Sequence, residues 1–279
     1  MQVGNAFYIT GKNNNNKGVL LSSVNNGETW NVVNDNFGSG LNSVCTFKNK
    51  LFAAGDHFKL YISDSLGILW NEVWIQGTIS MEYVTDIRSV CTGGNKLYMC
   101  GGNDFGRGFI GTSTDFGNHW IFFQTDHEMR SVAFSDENNG VCVGYGAIYN
   151  TNDGGITWHS QNAMSQFWTS VHYLHDRFYT CSYSGGFMQS ATNGKSWDEL
   201  IKPGSFWTGG NKLNCFAGTL PSTIIAAGAS SNSILSENFG IKFKNIIFAQ
   251  ENQINDIRID SNRDGIFVGD NGCIFLFNF

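Results

Sequence analysis

One eight-residue pattern recurs six times along the chain and strongly limits what the chain can fold into. Each copy has a hydroxyl residue first, a short polar residue third, glycine fifth and an aromatic residue eighth. The eighth positions, which are 40, 50, 38, 39 and 46 residues apart, are Trp30, Trp70, Trp120, Trp158, Trp197 and Phe243. Self-similarity at about 40 residues is typical of an array of equal supersecondary units.

Two further patterns keep the same period and predict where the strands lie. In the first, a bulky residue precedes a glycine by three positions, at residues 8–11, 52–55, 98–101, 141–144, 225–228 and 266–269, with 179–182 as a copy that ends in serine. In the second, apolar, polar, small and apolar residues follow one another, at residues 41–44, 87–90, 129–132, 168–171, 213–216 and 254–257. Short segments of this kind between glycine and asparagine turns predict an all-β protein.

Each unit is predicted to contain four short strands, here called A to D. Strand A carries the apolar–polar–small–apolar pattern, strand B ends at the glycine, strand C precedes the octapeptide and strand D begins at its aromatic residue. Strand B is apolar at successive positions, as in residues 97–100, which indicates burial on both faces. The chain is therefore predicted to be a single all-β domain, a seven-bladed β-propeller, with six blades as the alternative. The predicted units are residues 1–35, 36–78, 79–125, 126–163, 164–205, 206–248 and 249–279.

The first and last units are predicted to be incomplete. The first has strands B, C and D but too few residues before Tyr8 for strand A, and the last stops after strand C. An exposed sheet edge is a template for pairing, so a strand from another chain could complete the seam. Direct pairing of the first and last blades in a monomer would contradict this hypothesis.

The octapeptides resemble the Asp box, or BNR repeat, of the sialidase-like and Ycf48-like β-propellers, whose pattern is Ser/Thr-x-Asp-x-Gly-x-Thr-Trp/Phe. A short polar side chain at the third position accepts backbone N–H bonds within the turn, and the aromatic residue fills the gap between adjacent sheets. The residues assigned to these boxes are Asn25, Trp30, Trp70, Asp115, Trp120, Asp153, Trp158, Trp197, Asn238 and Phe243. The resemblance implies that the box lies on the C–D turn, away from the functional face, which makes Asp153 a turn former rather than a catalytic acid or calcium ligand.

The composition argues against several classes of protein. Charged residues are 14% and the net charge is −6 without a basic block, so nucleic acid is not the expected partner. No apolar run is long enough to span a membrane and no signal peptide is recognisable, so a cytoplasmic or virion location is expected. The seven cysteines include no Cys-x-x-Cys pair, and their odd number leaves at least one thiol free.

No constellation for catalysis stands out. Sialidases use an arginine triad, a tyrosine–glutamate pair, an aspartate acid and an Arg-Ile-Pro-type motif, whereas this chain has no Arg-x-Pro sequence. Asp86, Glu128 and Asp256 lie near predicted strand A starts, but no spacing singles out the two carboxylates that a glycosidase needs. His172 and His175 would not share a face of a strand, so no metal site is predicted there. The sequence predicts a protein that is not an enzyme and has no cofactor.

The candidate binding surface lies at the start of strand A, where propeller loops meet. The polar residue of each strand A pattern is predicted to ring the channel entrance: Asn42, Arg88, Arg130, Thr169, Asn214 and Asn255. Arg88 and Arg130 belong to consecutive blades and are expected to hold a carboxylate or an acidic loop of a partner, the alternative being a solvated polar rim. Trp74, Trp168 and Trp207 lie outside the boxes and are candidate aromatic contacts, the alternative being burial between blades.

The leading hypothesis is a non-catalytic propeller that serves as a structural or protein-interaction module. A chain rich in asparagine and phenylalanine and poor in charge is typical of AT-rich genomes, including those of phages. We therefore expect a virion component at a tail or capsid surface, with other protein subunits as partners. The second hypothesis is a carbohydrate-binding module for a host-surface glycan, and the third is a sialidase-like glycoside hydrolase.

Overall fold

The computed structural model describes residues 1–3, 6–63, 67–80, 85–103, 105–161, 166–204, 212–219, 222–229, 232–247, 252–259 and 264–278. The chain forms two compact units, Met1–Tyr145 with Thr151–His159, and Gly146–Asn150 with Ser160–Phe279. Strands adjacent in sequence pair into seven antiparallel sheets. Within the described residues, six sheets have four strands and the last has three. The fold is a seven-bladed β-propeller, as the repeats predict, and not the six-bladed alternative.

The first four sheets follow the chain in order. Sheet 1 contains β1 (Gln2–Val3), β2 (Ala6–Lys12), β3 (Gly18–Ser23) and β4 (Asn31–Phe37). Sheet 2 contains β5 (Leu41–Phe47), β6 (Lys50–Gly55), β7 (Lys59–Ser63) and β8 (Asn71–Glu72). Sheet 3 contains β9 (Asp86–Gly93), β10 (Lys96–Asn103), β11 (Arg107–Ser113) and β12 (Ile121–Thr125). Sheet 4 contains β13 (Met129–Phe134), β14 (Gly140–Gly144), β15 (Ala147–Thr151) and β16 (His159–Gln161).

The remaining three sheets have the same strand order. Sheet 5 contains β17 (Trp168–Leu174), β18 (Arg177–Ser182), β19 (Phe187–Ser190) and β20 (Asp198–Ile201). Sheet 6 contains β21 (Leu213–Thr219), β22 (Thr223–Gly228), β23 (Asn232–Ser236) and β24 (Lys244–Ile247). Sheet 7 contains β25 (Ile254–Ile259), β26 (Asp264–Gly269) and β27 (Ile274–Asn278), with a 3-10 turn at Asp270–Gly272. No helix in the described residues is long and apolar enough to cross a membrane.

Strand B is the most deeply buried strand of a typical sheet. Residues 51–54 of β6 and residues 97–100 of β10 expose no surface to solvent. Successive residues of a strand point to opposite faces, so burial of all four requires that other elements cover both faces. The continuous apolar runs of strand B are thereby explained. Cys100 and Cys181 occupy the register position that Ala54 occupies in β6, which makes them packing residues.

The octapeptide turns share two hydrogen bonds that define their shape. The first hydroxyl accepts the backbone N–H of the glycine at 2.9–3.0 Å in six copies: Ser23–Gly27, Ser63–Gly67, Ser113–Gly117, Thr151–Gly155, Ser190–Gly194 and Ser236–Gly240. The third residue accepts the backbone N–H of the seventh at 2.8–3.0 Å in five copies, through Asn25, Asp115, Asp153, Thr192 and Asn238. The third residue of the second copy, Ser65, lies outside the described residues.

The aromatic residue that ends each octapeptide packs into apolar surroundings. Trp120, Trp158 and Phe243 are buried, whereas the other three are half-buried. The ring of Trp70 in sheet 2 packs edge-on against Phe37 of sheet 1, with ring centroids 5.3 Å apart. This contact places the aromatic residue between adjacent sheets, where the box pattern predicts it.

The structure corrects the prediction that the first unit has no strand A. The strand β1 pairs with Ala6 and Phe7 of β2. Met1 and Tyr8 exchange two backbone hydrogen bonds of 2.9 and 2.8 Å. Residues 1–3 are thus enough for a short strand beside β2, because Met1 satisfies both backbone groups of Tyr8 that would otherwise lack a partner. The last sheet has strands A, B and C, as predicted.

Candidate interaction site at the strand A bulges

The six polar residues predicted to form a rim share one backbone feature. In every sheet from the second to the seventh, the ladder between strands A and B shifts register at this residue. Each residue is the extra member of a β-bulge: Asn42, Arg88, Arg130, Thr169, Asn214 and Asn255. A bulge bends the strand and redirects a side chain, and bulges are common beside functional sites.

In five of the six sheets with this bulge, strand B ends at a glycine that packs closely against the backbone of strand A, whereas in sheet 5 this position is Ser182. A Cβ atom built on Gly55 would lie 1.8 Å from the backbone oxygen of Gly40, the residue that precedes strand A. The same distance is 1.9 Å at Gly101, 2.1 Å at Gly144, 1.9 Å at Gly228 and 2.2 Å at Gly269. Only a residue without a side chain can approach a backbone so closely. In these five sheets the glycine therefore recurs because of the close backbone approach, and it is not a ligand-binding signature.

Three of the six bulge residues tie their sheet to the next one. Asn42 Nδ2 donates to the backbone oxygen of Ile87 at 3.0 Å, and Asn214 Nδ2 donates to that of Ile254 at 2.7 Å. Thr169 Oγ1 donates to the backbone oxygen of Leu213 at 2.7 Å. Each acceptor is the first apolar residue of the next strand A pattern. These polar side chains therefore have a structural partner in the free protein.

Arg88 and Arg130 instead converge on one carboxylate of their own chain. Arg88 Nε lies 2.8 Å from Glu128 Oε1, and Arg130 Nε lies 3.4 Å from the same oxygen. Arg88 also places Nη2 3.0 Å from Asp86 Oδ2. The Glu128 side chain is completely buried, whereas both guanidinium groups are partly exposed. The two arginines are thus paired within their own chain, and binding of a carboxylate or an acidic loop of a partner stays a prediction.

Two exposed aromatic rings stand beside this ion pair. Phe105 has a left-handed backbone (φ 73°), and its N–H donates to Glu128 Oε2 at 2.9 Å. The backbone N–H of Tyr145 donates to the backbone oxygen of Glu128, also at 2.9 Å. The two ring centroids are 4.9 Å apart, and the Arg130 guanidinium lies 6.0 Å from the Phe105 ring. Despite this contact, 46% of Phe105 and 41% of Tyr145 remain exposed.

We call Asp86, Arg88, Phe105, Glu128, Arg130 and Tyr145 the Glu128 cluster. Its two arginines face two carboxylates, so its formal charge is balanced. Burial lowers the pKa of Arg130, as does the charge of Arg88, while Glu128 and Asp86 oppose the shift. The charges of the cluster cancel and are partly removed from water, and two exposed rings lie beside them. The cluster therefore favours binding of an apolar or aromatic group with polar edges over binding of a simple anion.

Sequence reasoning missed the two rings of this cluster. Glu128 was one of several acidic residues at strand A starts, and nothing in its spacing separated it from Asp86. Phe105 and Tyr145 lie on the B–C connections of consecutive sheets, one in Asn-Asp-Phe-Gly and the other in Gly-Tyr-Gly. An aromatic residue within a glycine-rich connection at the predicted binding face was the signal that could have found them.

The three tryptophans outside the boxes occupy different environments. Trp168 is fully buried, which corrects its assignment as an aromatic contact: it is the first apolar residue of strand A, a core position in every sheet that has it. Trp74 is 80% exposed, but the neighbouring Gln76 pairs its backbone with Asn118 and Trp120. Trp74 therefore lies near the C–D turn of sheet 3, away from the bulges. Trp207 lies outside the described residues.

The two histidines of the His-x-x-His sequence pack separately. The His172 ring meets Phe216 at 4.8 Å between centroids, and the His175 ring meets Phe239 at 5.3 Å. Within the described parts of the chain, no group of three or more His, Cys, Asp or Glu side chains is placed to hold a metal ion. Both rings therefore contribute to packing in the folded chain.

The arrangement of sheets and bulges defines a class of protein, the seven-bladed β-propeller. No protein-family model and no curated protein sequence matches the chain. Among solved structures, Ycf48 bound to a D1 peptide is similar, with 17% identity, a TM-score of 0.70, and coverage of 100% of this chain and 96% of that one.

Two further solved structures share the fold. Ycf48 from Cyanidioschyzon merolae has 15% identity and a TM-score of 0.75, and the match covers 98% of this chain and 91% of that one. The WD40 β-propeller domain of Doa1 has 15% identity and a TM-score of 0.70, with coverage of 97% and 88%. At these identities the likeness shows the fold, a β-propeller of the kind seen in Ycf48, and function has to be argued from the site.

Proposed function

We propose that the chain is a non-catalytic protein-interaction module that contacts its partner through the Glu128 cluster. The observation that carries this proposal is the exposed Phe105–Tyr145 pair, positioned by a carboxylate that solvent does not reach. Aromatic residues and arginines contribute most to the binding energy of protein interfaces. The similar structure of Ycf48 with a bound D1 peptide supports a peptide segment as the guest.

The acidic residues support a non-catalytic role. A glycosidase needs one carboxylic acid and one carboxylate that both reach the substrate. Here Glu128 is fully buried, and its two oxygens already accept from Arg88 and from the N–H of Phe105. Asp86 contacts the same arginine and the backbone N–H of His57. Both carboxylates are thus engaged within the chain and hold the aromatic pair rather than face a substrate.

Selection from a library of displayed random peptides tests this proposal. The purified protein is used for selection, and the double variant Phe105→Ser with Tyr145→Ser is used for counter-selection. We expect wild-type protein to enrich a peptide motif that the double variant no longer binds, because both rings of the platform are gone. Ile156→Ser is the matched control, since Ile156 is an exposed apolar residue on a C–D turn. A motif bound equally by the double variant, or no enrichment at all, would contradict the proposal.

The partners are proposed to be subunits of a larger assembly, such as a virion. The low-charge, asparagine-rich and phenylalanine-rich composition supports this part of the proposal. Light scattering on native material distinguishes the outcomes. A defined mass far above 30.8 kDa is expected for a building block, whereas a particle of that mass would contradict the assembly role.

Glycan binding is a second candidate, favoured by one observation. Trp74 is 80% exposed, and an exposed indole is a good stacking platform for a sugar ring. A glycan array probed with wild-type protein and with Trp74→Ala tests it. Glycan signals that disappear in Trp74→Ala and persist in the Phe105→Ser/Tyr145→Ser variant would support a lectin role, and an array without signals would contradict it.

We also propose that the octapeptides are Asp boxes with a structural role. Hydroxyl-to-glycine bonds in all six copies and carboxylate or amide bonds to the seventh residue support this assignment. Asp153 is typical: burial raises its pKa, but hydrogen bonds from Thr157, Thr151 and Ile156 outweigh this and lower the pKa to about 2. Its oxygens are therefore occupied by the turn. Asp153→Ala is expected to lower the free energy of unfolding by about 1 kcal/mol, as the loss of a capping carboxylate does, and to leave peptide selection unchanged.

A further inference from the structure

The sequence contains four asparagine–glycine pairs, and the amide of an asparagine in such a pair is prone to spontaneous hydrolysis. The backbone nitrogen of the glycine can attack the asparagine side chain, because glycine has no side chain that obstructs the approach. The four pairs are Asn26–Gly27, Asn139–Gly140, Asn193–Gly194 and Asn271–Gly272. One chain thus presents the same dipeptide in four structural settings, which can be compared directly.

Two of the pairs lie inside octapeptide turns, in the first and fifth copies. The N–H of Gly27 donates to Ser23 Oγ at 2.9 Å, and the N–H of Gly194 donates to Ser190 Oγ at 2.9 Å. Both glycines are buried. The attacking nitrogen is therefore held by a hydroxyl group inside the turn, and attack requires that the turn first opens.

A third pair is held by a strand ladder and by an aspartate. Gly140 pairs with Phe134, and a Cβ atom built on Gly140 would lie 2.5 Å from the Phe134 ring. The side-chain amide of Asn139 donates to both carboxylate oxygens of Asp136, at 2.9 and 3.1 Å. Rotation of this pair into a reactive geometry therefore breaks contacts on both residues.

The fourth pair has none of these restraints in the described residues. Asn271 and Gly272 lie in the 3-10 turn between β26 and β27, and both are exposed. A Cβ atom built on Gly272 would meet no atom within 4 Å, and no described side chain is hydrogen-bonded to either residue. Backbone conformation does not explain the difference, since φ is 58° at Asn271, 56° at Asn26 and 53° at Asn193.

We propose that Asn271 is a site of spontaneous deamidation in the folded protein. The nitrogen of Gly272 gives its proton to solvent hydroxide and forms a bond to Cγ of Asn271. The C–N bond of the side-chain amide then breaks, and the amide leaves as ammonia after it takes a proton from water. Water opens the resulting cyclic imide at either carbonyl, which leaves an aspartate or an isoaspartate. The only co-reactant is water, which reaches the exposed turn.

The reaction would change the B–C connection of sheet 7, the kind of connection that carries Phe105 in sheet 3 and Tyr145 in sheet 4. The new carboxylate follows Asp270, whose Oδ1 accepts from Asn255 Nδ2 at 2.7 Å. Adjacent like charges repel each other, so this contact should weaken. Because ammonia is lost, the added negative charge is permanent and accumulates with the age of the chain. The site shares no residue with the Glu128 cluster, so the inference is independent of the proposed function.

Peptide mapping of aged protein tests the proposal. Wild-type protein is incubated at pH 8, folded or in urea, and digested with trypsin, and fragmentation of the peptides in a mass spectrometer locates each converted residue. The four pairs fall in the separate tryptic peptides 18–48, 131–177, 178–195 and 264–279. In the folded protein, Asn271 should convert faster than the other three by about tenfold or more, because only there does no hydrogen bond to a side chain have to break. In urea the four rates should become similar.

Two variants separate the causes. Gly272→Ala places a methyl group beside the attacking nitrogen and should slow conversion of Asn271 by about tenfold, with the other three pairs unchanged. Ser190→Ala removes the acceptor of the Gly194 N–H and should speed conversion of Asn193 by about tenfold, with Asn26 as the unchanged internal control. A thermal melt shows that each variant is folded during the incubation.

The inference would be overturned by folded wild-type protein in which Asn271 converts no faster than the other three asparagines. It would also be overturned if Asn271 kept the same lead in urea, since the local sequence and not the fold would then set the rates. Equal conversion of Asn271 in Gly272→Ala would contradict attack by the Gly272 nitrogen. An unchanged rate at Asn193 in folded Ser190→Ala would contradict protection by the turn hydroxyl.

Discussion

At the scale of single residues, Glu128 links every part of the candidate site. Its carboxylate receives Arg88 and Arg130 on one oxygen and the N–H of Phe105 on the other. A buried carboxylate is tolerated only when it is paired in this way, and the two arginines in turn depend on it. The left-handed backbone of Phe105 is held by the same contact, so the position of the exposed ring depends on a residue that solvent does not reach.

Replacing Glu128 by glutamine is therefore expected to destabilise the protein. Glu128→Gln keeps the shape but removes the charge, which leaves two partly buried guanidinium groups without their partner and should cost about 3 kcal/mol. Urea denaturation measures the change in the free energy of unfolding. Glu137→Gln, at an exposed site in the connection between β13 and β14, is the control and should have almost no effect. Equal stability of both variants would contradict the role assigned to Glu128.

His172 makes stability depend on pH. Burial lowers the pKa of His172 from 6.5 to about 4, with a further contribution from Arg258 and an opposing one from Asp256. Between these two pH values the unfolded chain binds a proton that the folded chain does not. The contribution of neutral His172 to the free energy of unfolding is therefore complete above pH 6.5. It is lost as the pH falls towards 4, and the loss amounts to about 2 kcal/mol.

Denaturant unfolding at pH 7 and at pH 5 measures this contribution. His172→Gln should reduce the difference between the two pH values, because glutamine does not titrate. His159→Gln is the control, since His159 lies at an exposed position. An unchanged pH difference in His172→Gln would show that other groups cause it.

At the scale of single elements, the bulge at the start of strand A explains two sequence patterns at once. In three sheets the extra residue turns its polar side chain towards the next sheet, and in five sheets the backbone oxygen two residues before it packs against the glycine that ends strand B. The glycine recurs because of that close approach, and the polar residue recurs because in three sheets it ties neighbouring blades together. Sheet 1 has no strand opposite Gly11 in the described residues, and there the glycine faces open space.

Thr169→Val tests the tie between blades. The change keeps the shape of the side chain but removes the hydroxyl that donates to the backbone oxygen of Leu213, 2.7 Å away. We expect the free energy of unfolding to fall by about 1–2 kcal/mol, because the backbone oxygen of Leu213 loses its hydrogen-bond donor.

Chemical denaturation of Thr169→Val is compared with that of Thr46→Val. Thr46 also lies in a strand A, and its side chain makes no hydrogen bond in the described residues. Equal losses in the two variants would mean that the Thr169 hydroxyl does not hold the sheets together.

At the scale of the whole molecule, the thiols report on the integrity of the folded chain. Cys45, Cys91, Cys100, Cys142, Cys181 and Cys215 carry free thiols, and all of these except Cys91 are buried. Burial raises the pKa of the Cys181 thiol to about 12, so its reactive thiolate is scarce at neutral pH. A disulfide-free core of this kind derives its stability from packing between strands.

Thiol labelling at pH 8 is therefore expected to be slow for the buried cysteines until the protein unfolds. The number of thiols that react quickly should not exceed two in the folded protein, and all seven should react in denaturant. Added reductant should leave the melting temperature unchanged. Rapid labelling of five or more thiols under native conditions, or a melting temperature that falls with reductant, would contradict this description.

Much of the architecture follows from the sequence alone. Six octapeptides, seven strand B segments and six strand A patterns recur in phase, and local turns with strongly patterned strands leave little choice of topology. The order of strands and the turn geometry are therefore local properties of each repeat, and the number of repeats sets the number of blades. The same repetition identified the bulge residues, because a polar residue between apolar ones at a fixed position is visible in every unit.

Only the tertiary structure decides which of these residues are exposed and which are buried or paired within the chain. Glu128, Asp86 and Asp256 look alike in sequence, yet only Glu128 receives two arginines, because that depends on how strands from two sheets approach each other. Trp168 and Trp74 look alike as well, but one is a core residue and the other is exposed. The repeats specify the contacts within one sheet, where residues are near in sequence. Burial, charge pairing and open strand edges depend instead on neighbouring sheets, because side-chain distances there are set by how whole sheets pack.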